Sequence, residues 1–270
     1  MPDQTLAYHT VASAMRDRSR ADARQRFSMA IKAALIGHVP HIQYRLAARE
    51  RRAVGWSEDT VSRAVFDWLQ TDLNPAVQAI RATRSPAAIV ELYNAYNAAV
   101  PLGVKTTVEG EGARRDAAAS VADDELCAAG SLAVLAWVRR DTAAKAARPS
   151  QDWMLSGWRA AIYLGAERLA GAEAAHALES EGDMDLRRLS MRLGSTARTL
   201  QRRIAEEGLT ITQLRLASRQ TRALRLIQAG GMSLGQVAIE AGYADQAHMS
   251  RGFKFSCGLT PGQIAQALAA

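Results

Sequence analysis

Cysteine is nearly missing from this sequence: Cys127 and Cys257 are the only two in 270 residues. Two thiols cannot build a disulfide framework or a cysteine zinc site, and their scarcity fits a reducing compartment. Aromatic residues are also sparse, at 6%. No apolar run approaches the roughly 18–20 residues that a membrane span requires, and the N-terminus has no apolar signal segment. In residues 1–180 β-branched runs are few, and no period-2 alternation is sustained. Secreted, membrane and zinc-finger classes are therefore not expected, and the protein is expected to work in the cytoplasm.

What is present is alanine and arginine. Residues 1–180 hold 41 alanines, a composition that favours helix over strand. Several helix starts can be read directly. Ala23–Ile36 carries Phe27, Ala30, Ile31, Ala34 and Leu35 on one stripe. Ser57 precedes two acids and a helix through Val61, Val65, Trp68 and Leu69. Ser85-Pro86 is a cap followed by proline at the first helical position, leading into Ile89, Leu92, Tyr93 and Tyr96. Further helices are expected over Leu126–Val138 and Trp153–Leu178. Residues 103–120, with three glycines and few large apolar side chains, read as a loop or hinge. Glu179–Asp183 breaks the pattern and marks the expected boundary between an N-terminal domain, 1–180, and a C-terminal domain, 181–270.

The charge is concentrated in the second part. Residues 181–270 carry 12 Lys+Arg against 7 Asp+Glu, whereas residues 1–180 carry 22 against 20. Eleven of those twelve cations are arginine, whose rigid fork matches phosphates and guanine edges.

This basic segment contains one pattern twice: an amphipathic helix, a glycine turn and a second helix with a polar, basic outer face. In the first copy Leu186, Leu189 and Leu193 face inward, Gly194-Ser195-Thr196 turns, and Leu200 and Ile204 are buried at i,i+4. Arg198, Gln201 and Arg202 lie on the opposite face. In the second copy Leu234, Val237, Ala238 and Ala241 face inward and Gly242-Tyr243 turns. The helix from Asp245 buries Met249 and Phe253. It exposes Gln246, Ala247, His248, Ser250 and Arg251. Each copy is a helix-turn-helix unit with a recognition helix able to enter a major groove. Between them Thr212–Ala229 reads as one helix of about 27 Å.

The segment resembles the tandem helix-turn-helix domain of the AraC/XylS transcription regulators. The residues that carry the resemblance are Ser233, Val237-Ala238, Gly242-Tyr243, Asp245, Ser250-Arg251, Phe253-Lys254, Gly258 and Thr260-Pro261. In the first unit they are Leu193-Gly194, Arg198 to Arg202 and Gly208, with Arg219 and Ala223 in the connecting helix. Met249 and Gly252 depart from the usual Phe and Ala, and the Tyr-Arg that customarily follows the proline is absent. The resemblance covers about a third of the chain, and residues 1–180 do not resemble the β-rich sensor found in many members.

The resemblance implies a DNA-binding domain with a linker helix in the C-terminal part; with the helical reading of residues 1–180, the expected protein is all-α, a helical N-terminal domain preceding that DNA-binding domain. It implies base contacts from Arg198, Gln201 and Arg202, and from Gln246, Ala247, His248 and Arg251. Arg203, Lys254 and Arg187 are the phosphate candidates. The implied partners are double-stranded DNA and RNA polymerase, with activation favoured over repression. No catalytic residues, cofactor or metal are expected. His38 and His41 lack a third ligand, and Pro40 separates them. Cys127 and Cys257 read as small core residues, although Cys257 at the end of the second recognition helix also admits a redox role. The larger aromatics of the N-terminal region (Trp56, Phe66, Trp68, Tyr93, Tyr96, Trp137, Trp153, Trp158 and Tyr163) read mainly as core. A homodimer contact and a small-molecule effector site are both open roles for that domain. An alternative is control by a partner protein. A fused alkyl-transfer repair enzyme is disfavoured, because neither a Pro-Cys-His setting nor a four-cysteine zinc module occurs.

Overall fold

The computed structural model describes residues 5–16, 21–110, 112–119, 121–147 and 152–269. Among these, helices dominate, with two antiparallel strand pairs between them. No helix is long and apolar enough to cross a membrane.

The N-terminal part opens with β1 (Leu6–Tyr8), α1 (His9–Ala14) and α2 (Ala23–Ala33). It continues through β2 (His38–Pro40) and α3 (His41–Ala53), and β2 pairs with β1. The helices α4 (Glu58–Leu69) and α6 (Pro86–Ala98) begin at the serines named above. Ser57 accepts a hydrogen bond from the Thr60 amide, and Ser85 accepts one from that of Ala88. Between them, α5 (Pro75–Ala82) is capped by Asn74. The helix expected over Leu126–Val138 is longer, running as α7 over Glu125–Ala147.

Two expectations require correction. Residues 103–120, read as an open hinge, contain a β-hairpin, β3 (Val104–Glu109) with β4 (Gly112–Ala117), paired from Val104↔Ala117 to Glu109↔Gly112. Glu111 and Ser120 of that stretch lie outside the described residues. The strand signal is short: Val104, Thr106 and Val108 are buried, with more exposed residues between them. Only this inner row packs, against α6, and Asn94 brackets it by accepting from the Val108 amide and donating to the Val108 carbonyl.

The single helix expected over Trp153–Leu178 is instead two, α8 (Gly157–Leu164) and α9 (Ala170–Glu181). Ser156 caps α8, so the chain before it is extended. Gly165, at φ 65°, ends α8 in the left-handed conformation that glycine adopts without a Cβ penalty.

The C-terminal part comprises α10 (Leu186–Arg192), α11 (Ala197–Glu206), α12 (Ile211–Ala229), α13 (Leu234–Glu240), α14 (Gln246–Cys257) and α15 (Pro261–Ala269). Packing crosses the expected boundary at residues 179–183. One core joins Phe27, Ala30 and Ile31 of α2 and the alanine face of α9 to Leu189, Leu200, Ile204 and Leu214. A second joins α1, α4, α5, α6 and α7 to Phe253, Leu259 and Ile264.

Polar contacts cross as well. Glu207, 8% exposed, accepts from the amides of Ala170 and Gly171, both at 2.8 Å, and so caps α9 from the end of α11. Asn74 Nδ2 donates to Ser256 O at 2.9 Å. Gly37 lies so close to α14 that a Cβ there would stand 2.4 Å from Ser256 O.

Candidate nucleic-acid interface

The first helix-turn-helix unit is α10, a turn and α11. Thr196 caps α11 by accepting from the Thr199 amide, and Leu200 and Ile204 are fully buried against Leu189. That anchoring forces the opposite face outward, so Arg198, Gln201, Arg202 and Arg203 are all exposed. Arg202 donates to Glu206 at 2.8 Å, an i,i+4 pair in solvent worth a few tenths of a kcal/mol, which a stronger partner can displace. Arg187 and Arg188 on α10 are exposed nearby in sequence.

The second unit is α13, a turn and α14. Ser233 and Gln236 form a capping box at the start of α13, and Asp245 caps α14 by accepting from the His248 amide. Met249 and Phe253 are fully buried, leaving Gln246, Ala247, Arg251 and Lys254 exposed. His248 differs from the rest. It is half-buried, its Nδ1 accepts from the Ala244 amide at 3.3 Å, and its ring meets Tyr243 edge-on at 5.3 Å. The ring is therefore a fixed part of the turn.

Sequence reasoning passed over two features. Phe255 is 83% exposed and stands one turn after Arg251, which puts it on the same outward face of α14. The burial of Phe253 and Cys257 on the other face sets which way Phe255 points. The other feature is a clamp on the connecting helix. Asp183 accepts from Arg215 Nε and Nη2, both at 2.8 Å, and from Arg219 Nη2 at 2.7 Å. Partial burial alone would raise the Asp183 carboxyl; the bonds and charges of the two arginines outweigh it and hold it below the usual carboxylate range. The clamp reaches the second turn, because a Cβ on Gly242 (φ 88°) would lie 2.8 Å from that of Asp183. Arg222 donates to the Glu240 carbonyl at 2.7 Å. Arg215, Arg219 and Arg222 of α12 thus hold the two units together, whereas Arg225 pairs with Asp152 at 3.6 Å and the arginines of α11 and α14 face solvent.

The remaining candidates carry no chemistry of this kind. His38 stacks on Tyr96 and His41 tilts against Tyr44, so their rings occupy different surroundings. Among the described residues no cluster of three metal-ligating side chains occurs. Cys257 is fully buried and donates to Phe253 O. Burial pushes its thiol up to about 12, which removes the thiolate that redox chemistry needs near neutrality. Cys127 is raised to about 12 for the same reason.

Residues 189–267 match a protein family described as a helix-turn-helix domain. Over 97 residues, 36% of the chain, the sequence is 34% identical to the HTH-type transcriptional regulator VirS of Mycobacterium tuberculosis, in two strains. The match spans 28% of that regulator's length. Among solved structures, the chain is similar to a DNA-binding transcriptional dual regulator from Escherichia coli K-12, with 24% identity and a TM-score of 0.35. That match covers 37% of this chain and 92% of the other. It is also similar to the transcriptional regulator CdpR from Pseudomonas aeruginosa, with 14% identity and a TM-score of 0.34, covering 91% of this chain and 98% of the other.

Proposed function

We propose, from a C-terminal third that is a helix-turn-helix domain of the AraC type, that this chain is a sequence-specific DNA-binding transcription regulator that reads two adjacent major-groove segments. The observation that carries the reading is the presence of two capped, anchored helices, α11 and α14, each with its polar face in solvent, one before and one after α12 in the chain. Nineteen residues of α12 span about 28 Å, close to the ~34 Å between successive major-groove faces. The Asp183 clamp fixes α12 against the segment leading into the first unit and the turn of the second, so the spacing is rigid.

In this reading Arg198, Gln201 and Arg202, together with Gln246, Ala247 and Arg251, meet base edges. Arg matches guanine O6/N7 and Gln matches adenine N6/N7, while Ala247 and Phe255 offer apolar contact to thymine methyls. Arg187, Arg203 and Lys254 meet phosphates. His248, held by the turn, supports α14 and presents only its outer ring edge. The AraC-type resemblance favours activation through RNA polymerase.

Footprinting on a selected site tests the reading. The chain should protect two segments about one helical turn apart on one face. Inserting about five base pairs between them should abolish tight binding, since half a turn carries one segment to the far side. Unchanged affinity after insertion would mean that a single unit reads DNA.

A further inference from the structure

The helix α2 belongs to the N-terminal part, yet its two ends lie against different helix-turn-helix units. Its start is stiffened by a capping box between Asp22 and Gln25. Near that start, Phe27 is fully buried in the core that holds Leu200 and Ile204 of α11. Ser28 Oγ donates to the Gly208 carbonyl, in the turn that follows α11, at 3.2 Å. At the other end, Ala33 is buried in the core that holds Phe253 of α14. Asn74 Nδ2 donates both to Ala33 O, at 3.2 Å, and to Ser256 O in the last turn of α14, at 2.9 Å. Gly37, shortly beyond α2, meets the same turn: a Cβ there would stand 2.4 Å from Ser256 O and 2.9 Å from Cys257 Cα. Among the described residues, α2 and α12 are the two helices with buried side chains in both cores, and they pack against each other.

We propose that α2 is a second strut beside α12, with Ser28 and Gly37 as positioning residues that set the placement of α14 relative to α11. The proposal rests on the reading of two major-groove segments. A single rod between two bodies fixes their separation but leaves them free to turn about its axis, and a second tie alongside removes that freedom. The Asp183 clamp acts at the segment leading into the first unit and at the turn of the second. The contacts of α2 act at the C-terminal ends of α11 and α14. Held at both ends, the recognition helices keep their angle as well as their distance. Each base pair inserted between two DNA segments shifts one by about 3.4 Å and turns it by about 35°, so a rigid pair of helices accepts few spacings. The part of the chain outside the helix-turn-helix domain thereby takes a share in choosing the spacing of the DNA site.

Equilibrium binding of the full-length protein to three kinds of duplex tests the proposal: a selected site, the same site with one base pair added or removed between its two segments, and a duplex that keeps only the first segment. The wild type should prefer the selected spacing by at least about tenfold. Gly37→Ala forces the chain away from the α14 backbone and should reduce that preference to about threefold or less. Its affinity for the single-segment duplex should stay within about twofold of the wild type, whereas a general loss of folding lowers binding to every duplex alike. Ser28→Ala removes one hydrogen bond and no large core group, so it should lower the spacing preference about threefold with a melting temperature close to the wild type's. An unchanged preference in Ser28→Ala, together with unchanged or uniformly weakened binding in Gly37→Ala, would assign the spacing to α12 alone and overturn the strut. A wild type indifferent to spacing would instead overturn the two-segment reading on which the strut rests.

Discussion

At the scale of single residues, what a side chain can do at this surface depends on what its own helix has already asked of it. Arg198 makes no ion pair among the described residues, and its helix is pinned from behind by Leu200 and Ile204. Arg198→Ala should therefore leave folding intact and cost about 1–3 kcal/mol at a cognate duplex, with little change on random DNA. Competition binding on the two duplexes measures this, and an unchanged ratio would move the recognition face elsewhere. Gly252 is the opposite case, a helical glycine with no positional need for one. A Cβ there would meet Tyr243 at 3.4 Å, an ordinary van der Waals contact. Gly252→Ala should thus stabilise the protein by roughly 0.5–1 kcal/mol, through reduced backbone entropy in the unfolded chain. Chemical denaturation would show it as a raised midpoint with an unchanged slope.

At the scale of elements, the end of α14 is held by a polar cluster belonging to the N-terminal part. His9 bridges the Gly37 carbonyl, with Nδ1 at 3.0 Å, and the Asp72 carboxylate, with Nε2 at 3.0 Å. Asp72 also accepts from Trp68 Nε1 at 2.7 Å and from the Asn74 amide at 3.0 Å. Burial would raise the Asp72 carboxyl, but His9 and these donors hold it below the usual range. His38 sits beside this cluster, stacked on Tyr96 and facing Gly258 at the end of α14. Burial, and then the neighbouring His9, lower the His38 pKa to about 4. Since the folded value lies below the unfolded one, its contribution is complete above about pH 6.5 and is lost as pH falls toward 4. The loss amounts to up to about 3 kcal/mol. Asp72, depressed from a lower starting value, adds its own loss at still lower pH. The melting temperature should accordingly fall between pH 7 and 4.5, and His38→Phe should flatten that slope. A wild-type slope persisting in the variant would assign the effect to another group.

At the scale of the whole molecule, the two parts share cores. The alanine face of α9 packs against α12, α11 and α10, and Glu207 caps α9 from the end of α11. A fragment that begins at residue 181 discards this helix and strands a buried carboxylate whose two amide donors have gone. A fragment of residues 166–270 should therefore unfold at higher temperature than one of residues 181–270, by circular dichroism under identical conditions. Equal melting would mean that α9 adds nothing to the helix-turn-helix part. The same shared packing gives the N-terminal part a mechanical hold on α14, through Asn74, Gly37 and the Phe253 core.

Much of this protein was legible in its sequence because the relevant physics is local. Caps at Ser57, Ser85 and Thr196 satisfy amides three residues away, and the stripes that bury Leu200, Ile204, Met249 and Phe253 follow from helical periodicity alone. Local signals failed where a short element depends on a distant partner. The Val104–Glu109 strand alternates over too few residues to stand out, and only its hairpin mate and α6 make it a strand. The break at Gly165 competes with a long alanine-rich helical pattern, and a left-handed cap wins there because α8 and α9 must fold back on each other. The roles of Asp183, Glu207 and Asn74 rest on hydrogen bonds to groups 32, 37 and 182 residues away. The outward turn of Phe255 is set by what the rest of α14 buries. The sequence by itself determined two helix-turn-helix patterns, their separation along the chain and the charge of their outer faces. The tertiary structure decided which arginines remain outside and how firmly the helices are held, because long-range pairing and shared burial leave no periodic trace along the chain.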